Sequence, residues 1–320
     1  MNMVSDQKIR VLVTICTRGR PILLQSCLDS VCAQAPSALA TMEILVVENN
    51  DQLTCADLVA RQTARTEIPI HLTLEPELGI PFARNCCGTW AAAHGYDWAL
   101  YIDDDEVARP DWFRTMVEAT TVYEAEVFYG RVISIYPSGT PDWMITSEFD
   151  KRKRGAQLKK AEGHNTMVRT SVFDSAGMGL SFDGSMRFTG GSDTDFFTRL
   201  HQAGGRIIWI GDAVVEELVP ESRMTTRWQL NRAFRVAINI SVLHEKKSGR
   251  PAAFVRSALK GAGRMFDGLA RLPLGALSLF MPKLGKQLGF KAAKQIASGL
   301  GSFAYLFGVR PQPYRKVDGG

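Results

Sequence analysis

Asp103-Asp104-Asp105-Glu106 sets four carboxylates in succession behind the apolar run Trp98–Ile102. Left unpaired, they repel one another strongly. A divalent cation relieves that repulsion, and Mg²⁺ and Mn²⁺ take one or two carboxylates together with phosphate oxygens and waters. A solvated turn or a helix N-cap is the competing account, although one Asp would fill that role. A second group is Thr189-Gly-Gly-Ser-Asp-Thr-Asp-Phe-Phe197. Its glycines allow backbone to approach a ligand closely. Asp193 and Asp195 then fall at a helix entry, where each is either an N-cap or a general base that takes a proton from an acceptor hydroxyl. A third is Leu78-Gly-Ile-Pro-Phe-Ala-Arg-Asn85. Arg84 at a helix start there binds a phosphate or a base carbonyl, or else is an ordinary surface cation.

These residues need a scaffold, and the patterning supplies one. Arg10–Cys16, Met42–Val47, Ile68–Leu74 and Trp98–Ile102 read as strands. Ile22–Gln34 (with Pro21 at N1), Ala56–Ala64 and Ala83–His94 read as the intervening helices. Continuous apolar strands alternating with helices mean an α/β fold, a mostly parallel sheet with helices on both faces. Ligands of such sheets bind at the carboxyl ends of the strands. Thr17-Arg18, Glu48-Asn49-Asn50-Asp51 and Asp103–Glu106 all lie there. Downstream, Pro110–Glu124 reads as a helix, Val127–Tyr136 as a strand, and 137–161 as an irregular functional loop carrying the basic run Lys151–Arg154. His164–Val168 reads as a strand and Ser192–Ala203 as a helix. Arg206–Ile210 and Ala213–Glu217 read as two strands, and Thr226–Lys247 as a long helix. The expected organisation is a catalytic domain over 1–225, a connecting helix over 226–249 and a basic amphipathic helical tail over 250–320.

The 320 residues are 45% apolar and 22% charged, enough for a large core and far from a disordered or disulfide-rich composition. Cys16, Cys27, Cys32, Cys55, Cys86 and Cys87 form no CxxC pair, so reduced, mostly buried thiols are expected and a zinc site is not. The first ten residues are polar, without a signal-peptide core, and no apolar run is long enough to span a bilayer. Residues 250–320 hold twelve basic and two acidic side chains, a net +10, against −5 for the rest. An anionic partner for the tail follows. Its apolar stretches Leu269–Met281 and Ile296–Val309, flanked by Lys283, Lys286, Lys291 and Lys294, suit a helix lying among the headgroups of an anionic membrane. A helical subdomain packed on the body or on a second subunit is the alternative. Nucleic acid is set aside, because no reader motif is present.

Five pieces in order resemble family 2 glycosyltransferases: Val11–Pro21, Ile44–Asn50, Gly79–Cys87, Asp103–Glu106 and Gly190–Phe197. The likeness is greatest to bacterial exopolysaccharide enzymes of the succinoglycan glucosyltransferase type and covers about residues 9–245. It implies a GT-A fold and inverting transfer from a UDP-sugar, with Mn²⁺ or Mg²⁺, at the inner face of the cell membrane. The acceptor would be a lipid-linked oligosaccharide or another glycan. By the same resemblance Thr14, Thr17 and Arg18 line the nucleotide pocket, and Glu48, Asn49 and Arg84 surround uracil and ribose. Asp103 and Asp104 lie on the ribose side, Asp103 shared with the metal and Asp105 its principal ligand. Asp193 is the base. Gly163, His164 and Asn165 meet donor sugar or acceptor, Gly191 and Asp195 lie beside the acceptor, and Trp143 stacks on an acceptor ring or fills the core. Two positions depart from the pattern. Ser192 precedes Asp193 where such enzymes often carry Glu, and Glu216 stands near a common His. A nucleotidyltransferase would need a richer glycine loop than Thr17–Pro21 offers. A non-catalytic nucleotide-sugar-binding module is the other class, separated from an enzyme by UDP release.

Overall fold

The computed structural model describes residues 8–145 and 152–312. Lys151 of the basic run, the first seven residues, and Arg315, Lys316 and Asp318 lie outside them. β1 (Ile9–Thr17), β2 (Ala40–Glu48), β3 (Ile70–Leu74) and β4 (Trp98–Asp103) pair in parallel in the order β3-β2-β1-β4. Joining them are α1 (Pro21–Cys32), α2 (Ala56–Thr63) and α3 (Ile80–Ala93). The chain reverses its direction of winding between β1 and β4, the place at the strands' carboxyl ends where sheets of this kind take their ligands. Cys16 stands opposite Asp103 in that pairing.

Alternation along β1 shows how the sheet is covered. Val11, Val13 and Ile15 join one core with Leu24, Leu28, Trp112 and Met116. Leu12 and Cys16 join the other with Ala83, Cys87, Phe196 and Leu200. α1, α2 and α4 (Trp112–Val122) therefore lie on one face, and α3 and α5 (Ser192–Gln202) on the other.

The sheet continues beyond β4 with mixed direction. The remaining strands are β5 (Glu106–Ala108), β6 (Val127–Ile135), β7 (Gln157–Leu158), β8 (Thr166–Arg169) and β9 (Ile207–Leu218). β8 runs antiparallel to β4 and β6, β6 and β9 are parallel, and β5 and β7 are antiparallel to β9. Two expectations change here. The strands read as Arg206–Ile210 and Ala213–Glu217 are one strand whose register against β6 slips between Gly130 and Arg131. Asn165, at φ +45°, fills that bulge, its carboxamide donating to the carbonyls of Arg131 (2.7 Å) and Ala213 (3.0 Å). The 137–161 stretch is also not wholly irregular. β7 lies in it, Arg154 pairs with Asp212, and the Arg152 guanidinium sits 3.8 Å from the centre of the Trp209 ring.

After β9 come α6 (Thr226–Ser248), α7 (Arg250–Arg271) and α8 (Pro282–Leu306), the last two joined by a 3₁₀ segment over Leu272–Leu279. The apolar stretch Ile296–Val309 was expected to face lipid. The stretch divides: Gly299, Gly301, Ser302 and Tyr305 are buried against α6 and α7, whereas Leu300, Phe307 and Val309 are exposed. All six cysteines are free thiols, four of them buried, as their spacing suggested.

Candidate active site

The acidic run does not present four equivalent carboxylates. Asp104 and Glu106 turn inward, with 0% and 1% exposure, while the Asp103 and Asp105 side chains keep 32% and 13%. Asp104 accepts from the Thr17 hydroxyl (2.7 Å) and from Arg20, the residue just before α1. Burial pushes its carboxyl up to about 7, against the pull of Arg20 and Thr17. Glu106 closes the turn by accepting from the Asp103 backbone N–H at 2.9 Å and meets His164 Nδ1 at 2.7 Å. His164 Nε2 meets Glu162 at 2.8 Å. Burial works against the imidazolium, but flanking carboxylates lift His164 well above its usual range. Two acids thus fix the turn, and the other two remain at its surface.

Those two are the carboxylates that could hold a hard cation. Two outward carboxylates are the usual protein share for Mg²⁺ or Mn²⁺, the rest coming from diphosphate oxygens and water. No group of three or more His, Cys, Asp or Glu able to hold a metal occurs among the described residues, so substrate oxygens would have to complete the sphere. Asp105 meanwhile lies 3.2 Å from Arg20 and 4.0 Å from Arg223, which also bonds Glu217 on β9 at 3.0 Å.

Arg84, at the start of the second turn of α3, ties the second half of the site to the first. It is 4% exposed, it pairs with Asp193 of α5, and it lies 3.3 Å from Asp103. Burial opposes its charge, and the two aspartates more than offset this. Gly163 lies directly over it, since a Cβ there would strike the guanidinium. Asp193 follows Gly190 and Gly191, both at positive φ, and Ser192 Oγ lies 3.3 Å from its Oδ1. Arg84 is thus a buried bridge between two carboxylates and not a surface cation.

Several other expected contacts are occupied internally. Glu48 accepts from the backbone N–H groups of Thr54 (2.6 Å) and Cys55 (3.0 Å), which holds the loop before α2. The Asn49 carboxamide fixes the loop before α3 through Glu75 O, Glu77 O and Gly79 N–H. Both position these loops rather than present free groups to a ligand. Thr14 is wholly buried on the α3 face of β1, and its hydroxyl has no partner among the described residues. Arg18 stays half-buried at the end of β1. Asn165 accepts from the Trp112 indole (2.7 Å) besides plugging the bulge, so its carboxamide is fully engaged within the fold. Asp195 pairs with Arg199 (2.8 Å) and Lys246 (3.3 Å) and braces α6. Trp143 packs edge-on against Phe290 of α8, with ring centres 4.9 Å apart. Glu216 carries Arg109 at 2.7 Å.

Arg20, Glu162 and Arg223 are site residues the sequence reading did not single out, and Glu106, read there as one of four like carboxylates, proves to brace the turn from within. Arg20 stood inside a quoted motif, and Glu106 follows Asp103 at the spacing by which a carboxylate reaches back to a backbone N–H. Glu162 and Arg223 gave no signal of their own.

A winding reversal, an acidic turn beside it and a carboxylate at a glycine-led helix entry define a glycosyltransferase of the GT-A type. The comparisons carry this further. Residues 12–177 match the family model "Glycosyl transferase family 2", and residues 98–281 match "Glycosyl transferase family group 2". The chain belongs to glycosyl transferase family 2. It is 30% identical over 271 residues to the succinoglycan biosynthesis protein ExoM of Rhizobium meliloti (strain 1021), covering 83% of this chain and 85% of that one. Its fold is similar to the S. aureus TarS 1–349 crystal structure in complex with UDP-GlcNAc (TM-score 0.53, 14% identity, 92% of each chain). It is also similar to GalNAc-T7 with UDP, GalNAc and Mn²⁺ (TM-score 0.53, 13% identity, 76% of this chain and 51% of that).

Proposed function

We propose that this chain moves a hexose, glucose by preference, from a UDP-sugar onto a lipid-linked oligosaccharide or another surface-polysaccharide acceptor, with inversion at the anomeric carbon. One observation carries the reading: the Arg84 guanidinium touches both Asp193 and Asp103, so a proton acceptor and a metal-side carboxylate stand on either side of one buried cation. The relative named for succinoglycan biosynthesis, and structural neighbours whose names include UDP, UDP-GlcNAc and Mn²⁺, agree with it.

Asp193 takes the proton of the acceptor hydroxyl. Its named contacts, Arg84 and Ser192, both fall on Oδ1, which leaves Oδ2 for that proton. The acceptor oxygen forms its bond to the anomeric carbon as the bond from that carbon to the β-phosphate oxygen breaks, and UDP leaves. Asp103 and Asp105 would hold Mn²⁺ or Mg²⁺, which offsets the charge on the departing diphosphate. Arg20 and Arg223, beside Asp105, add positive charge on the same side.

The test is UDP release from UDP-glucose, UDP-galactose and UDP-N-acetylhexosamines, with and without Mn²⁺, in a membrane extract supplying acceptors. Asp193→Asn should lower kcat about a hundredfold or more while donor affinity changes by less than about twofold. Asp105→Asn should remove the response to Mn²⁺. A near wild-type rate for Asp193→Asn would sink the assignment of the base.

A further inference from the structure

α7 is oriented the wrong way round for a helix in water. It buries a face of small residues, Ala253, Ser257, Gly261 and Gly268, against its neighbours. A Cβ on Gly268 would strike Ile296 of α8, and one on Gly261 would press on Phe303. Close packing of small residues therefore fixes the rotation of the helix. The opposite face is left with Ala252, Val255, Leu259, Ala262, Phe266 and Leu269, at alternating spacings of three and four and all exposed. Leu259 is 70% exposed and Phe266 76%. Beyond α7, Leu272, Leu274 and Phe280 are exposed as well, Phe280 at 84%. A surface helix ordinarily turns its large apolar residues inward, and a contiguous exposed patch marks an interaction site.

The charges beside the stripe say what covers it. Arg256, Lys260 and Arg264 stand on α7, with Lys160, His244 and Lys247 close to them. Asp267, the only acidic residue of α7, is already paired with Arg271 at 2.7 Å. Burial and the surrounding cations hold Lys260 and His244 below their usual ranges, and none of Arg256, Lys260 and Arg264 is ion-paired among the described residues. A second copy of the chain docked through the same face would set these cations against their twins. No helix among the described residues is long and apolar enough to cross a membrane. Large apolar side chains flanked by unneutralised cations suit the boundary between acyl chains and anionic headgroups.

We propose that the outward face of α7, together with the exposed Leu272, Leu274, Phe280 and Met281, is the surface that seats this chain on an anionic bilayer. Val255, Leu259, Phe266 and Leu269 enter the acyl boundary, and Arg256 and Lys260 lie at the depth of the lipid phosphates. The inference deepens the membrane part of the preceding reading and is independent of the transfer chemistry.

Flotation of the full chain with phosphatidylcholine vesicles, with and without about one-third phosphatidylglycerol, tests it. The chain should float with the anionic vesicles and stay behind with the neutral ones. Leu259→Glu with Phe266→Glu should weaken that binding at least about tenfold, since it puts charge where apolar surface was buried. Both positions face water, so the circular dichroism and unfolding midpoint of the variant should match the parent's. Equal flotation of variant and parent would overturn the proposal, as would no flotation of the parent with anionic lipid. A lipid-free dimer that the double substitution dissolves into monomers would also overturn it, by assigning the face to a second copy. Metal-dependent UDP release from the donor in lipid-free buffer should be the same in both proteins. Its absence in both would count against the transfer reading and leave the lipid result standing.

Discussion

Arg84 is asked to satisfy two carboxylates from a buried position, and the glycine above it makes this possible. Its neighbour Gly163 has no Cβ, and the guanidinium occupies the space a Cβ would need. In Gly163→Ala either the loop lifts or Arg84 swings away from Asp193 and Asp103. Moving one loop by a methyl group in a packed site costs about 1–3 kcal/mol. The larger effect falls on the reaction, because Oδ1 of Asp193 is then no longer held and the base loses its alignment. Unfolding in urea should show that modest loss, and kcat should fall about tenfold or more with donor affinity little changed. A variant that loses the stability but keeps the parent's kcat would show that Arg84 does not orient the base. The same logic separates the acids of the turn. Asp104 and Glu106 are internal fasteners, so their replacement should disturb the turn, whereas replacement of Asp105 should be felt first by the metal.

Among the elements, the β6–β9 pairing shows how a single side chain can hold a strand together. β9 carries extra residues at its bulge, and the carbonyls left without strand partners accept from Asn165. Asn165→Ala would strip the Trp112 indole, Arg131 O and Ala213 O of their partners in the interior. At about 1–3 kcal/mol for each buried group left unsatisfied, the loss should be about 3 kcal/mol or more. Thermal or urea unfolding measures it, and acceptor KM should not move if the residue only packs. A stable Asn165→Ala enzyme with a raised acceptor KM would return Asn165 to the substrate. This element also shows where the sequence was readable. The first four strands and their helices were legible because buried parallel strands are continuous apolar runs separated by helical spacing. The break at Gly211-Asp212 looked like the end of a strand, because nothing local reveals a partner 46 residues upstream that fills a bulge. Glu48, Asn49 and Arg84 were recognisable as site-edge residues, but their partners are distant in sequence. Whether a polar side chain faces a ligand or another part of the chain depends on those partners. The stripe of α7 was present in the spacing of Val255, Leu259, Phe266 and Leu269. It was less conspicuous than the more continuous apolar run of α8, of which the fold buries Gly299, Gly301 and Tyr305 and leaves Leu300 and Phe307 exposed.

For the whole molecule, the question is whether residues after α6 form a separable tail. α6 reaches into the catalytic half through Asn239, which donates to Thr189 O at 2.6 Å, and through Lys246, which pairs with Asp183 and Asp195. Its other side is covered by α8. Gly301 lies where a Cβ would meet Phe234 O, and the Tyr305 hydroxyl donates to Glu245 at 2.9 Å. Ile238, Ala253 and Tyr305 share a core with Phe234 and Val242. A chain ending at Lys247 would therefore expose Phe234, Ile238 and Val242 together. At about 1.5–3 kcal/mol for a fully buried side chain of this kind, and less for the two that are partly buried, α6 would lose about 4–6 kcal/mol of its anchoring. That is a large share of the about 5–15 kcal/mol that holds an ordinary domain folded. Because α6 steadies the Thr189–Ser192 entry to the base, the loss should reach the active site. The shortened chain should bind the dye ANS, unfold at a clearly lower temperature and lose metal-dependent UDP release in lipid-free buffer. The double substitution on the outer face of α7 should do none of these. If the shortened chain instead keeps its midpoint and its rate, then α7 and α8 are an appendage, and the catalytic half folds without them.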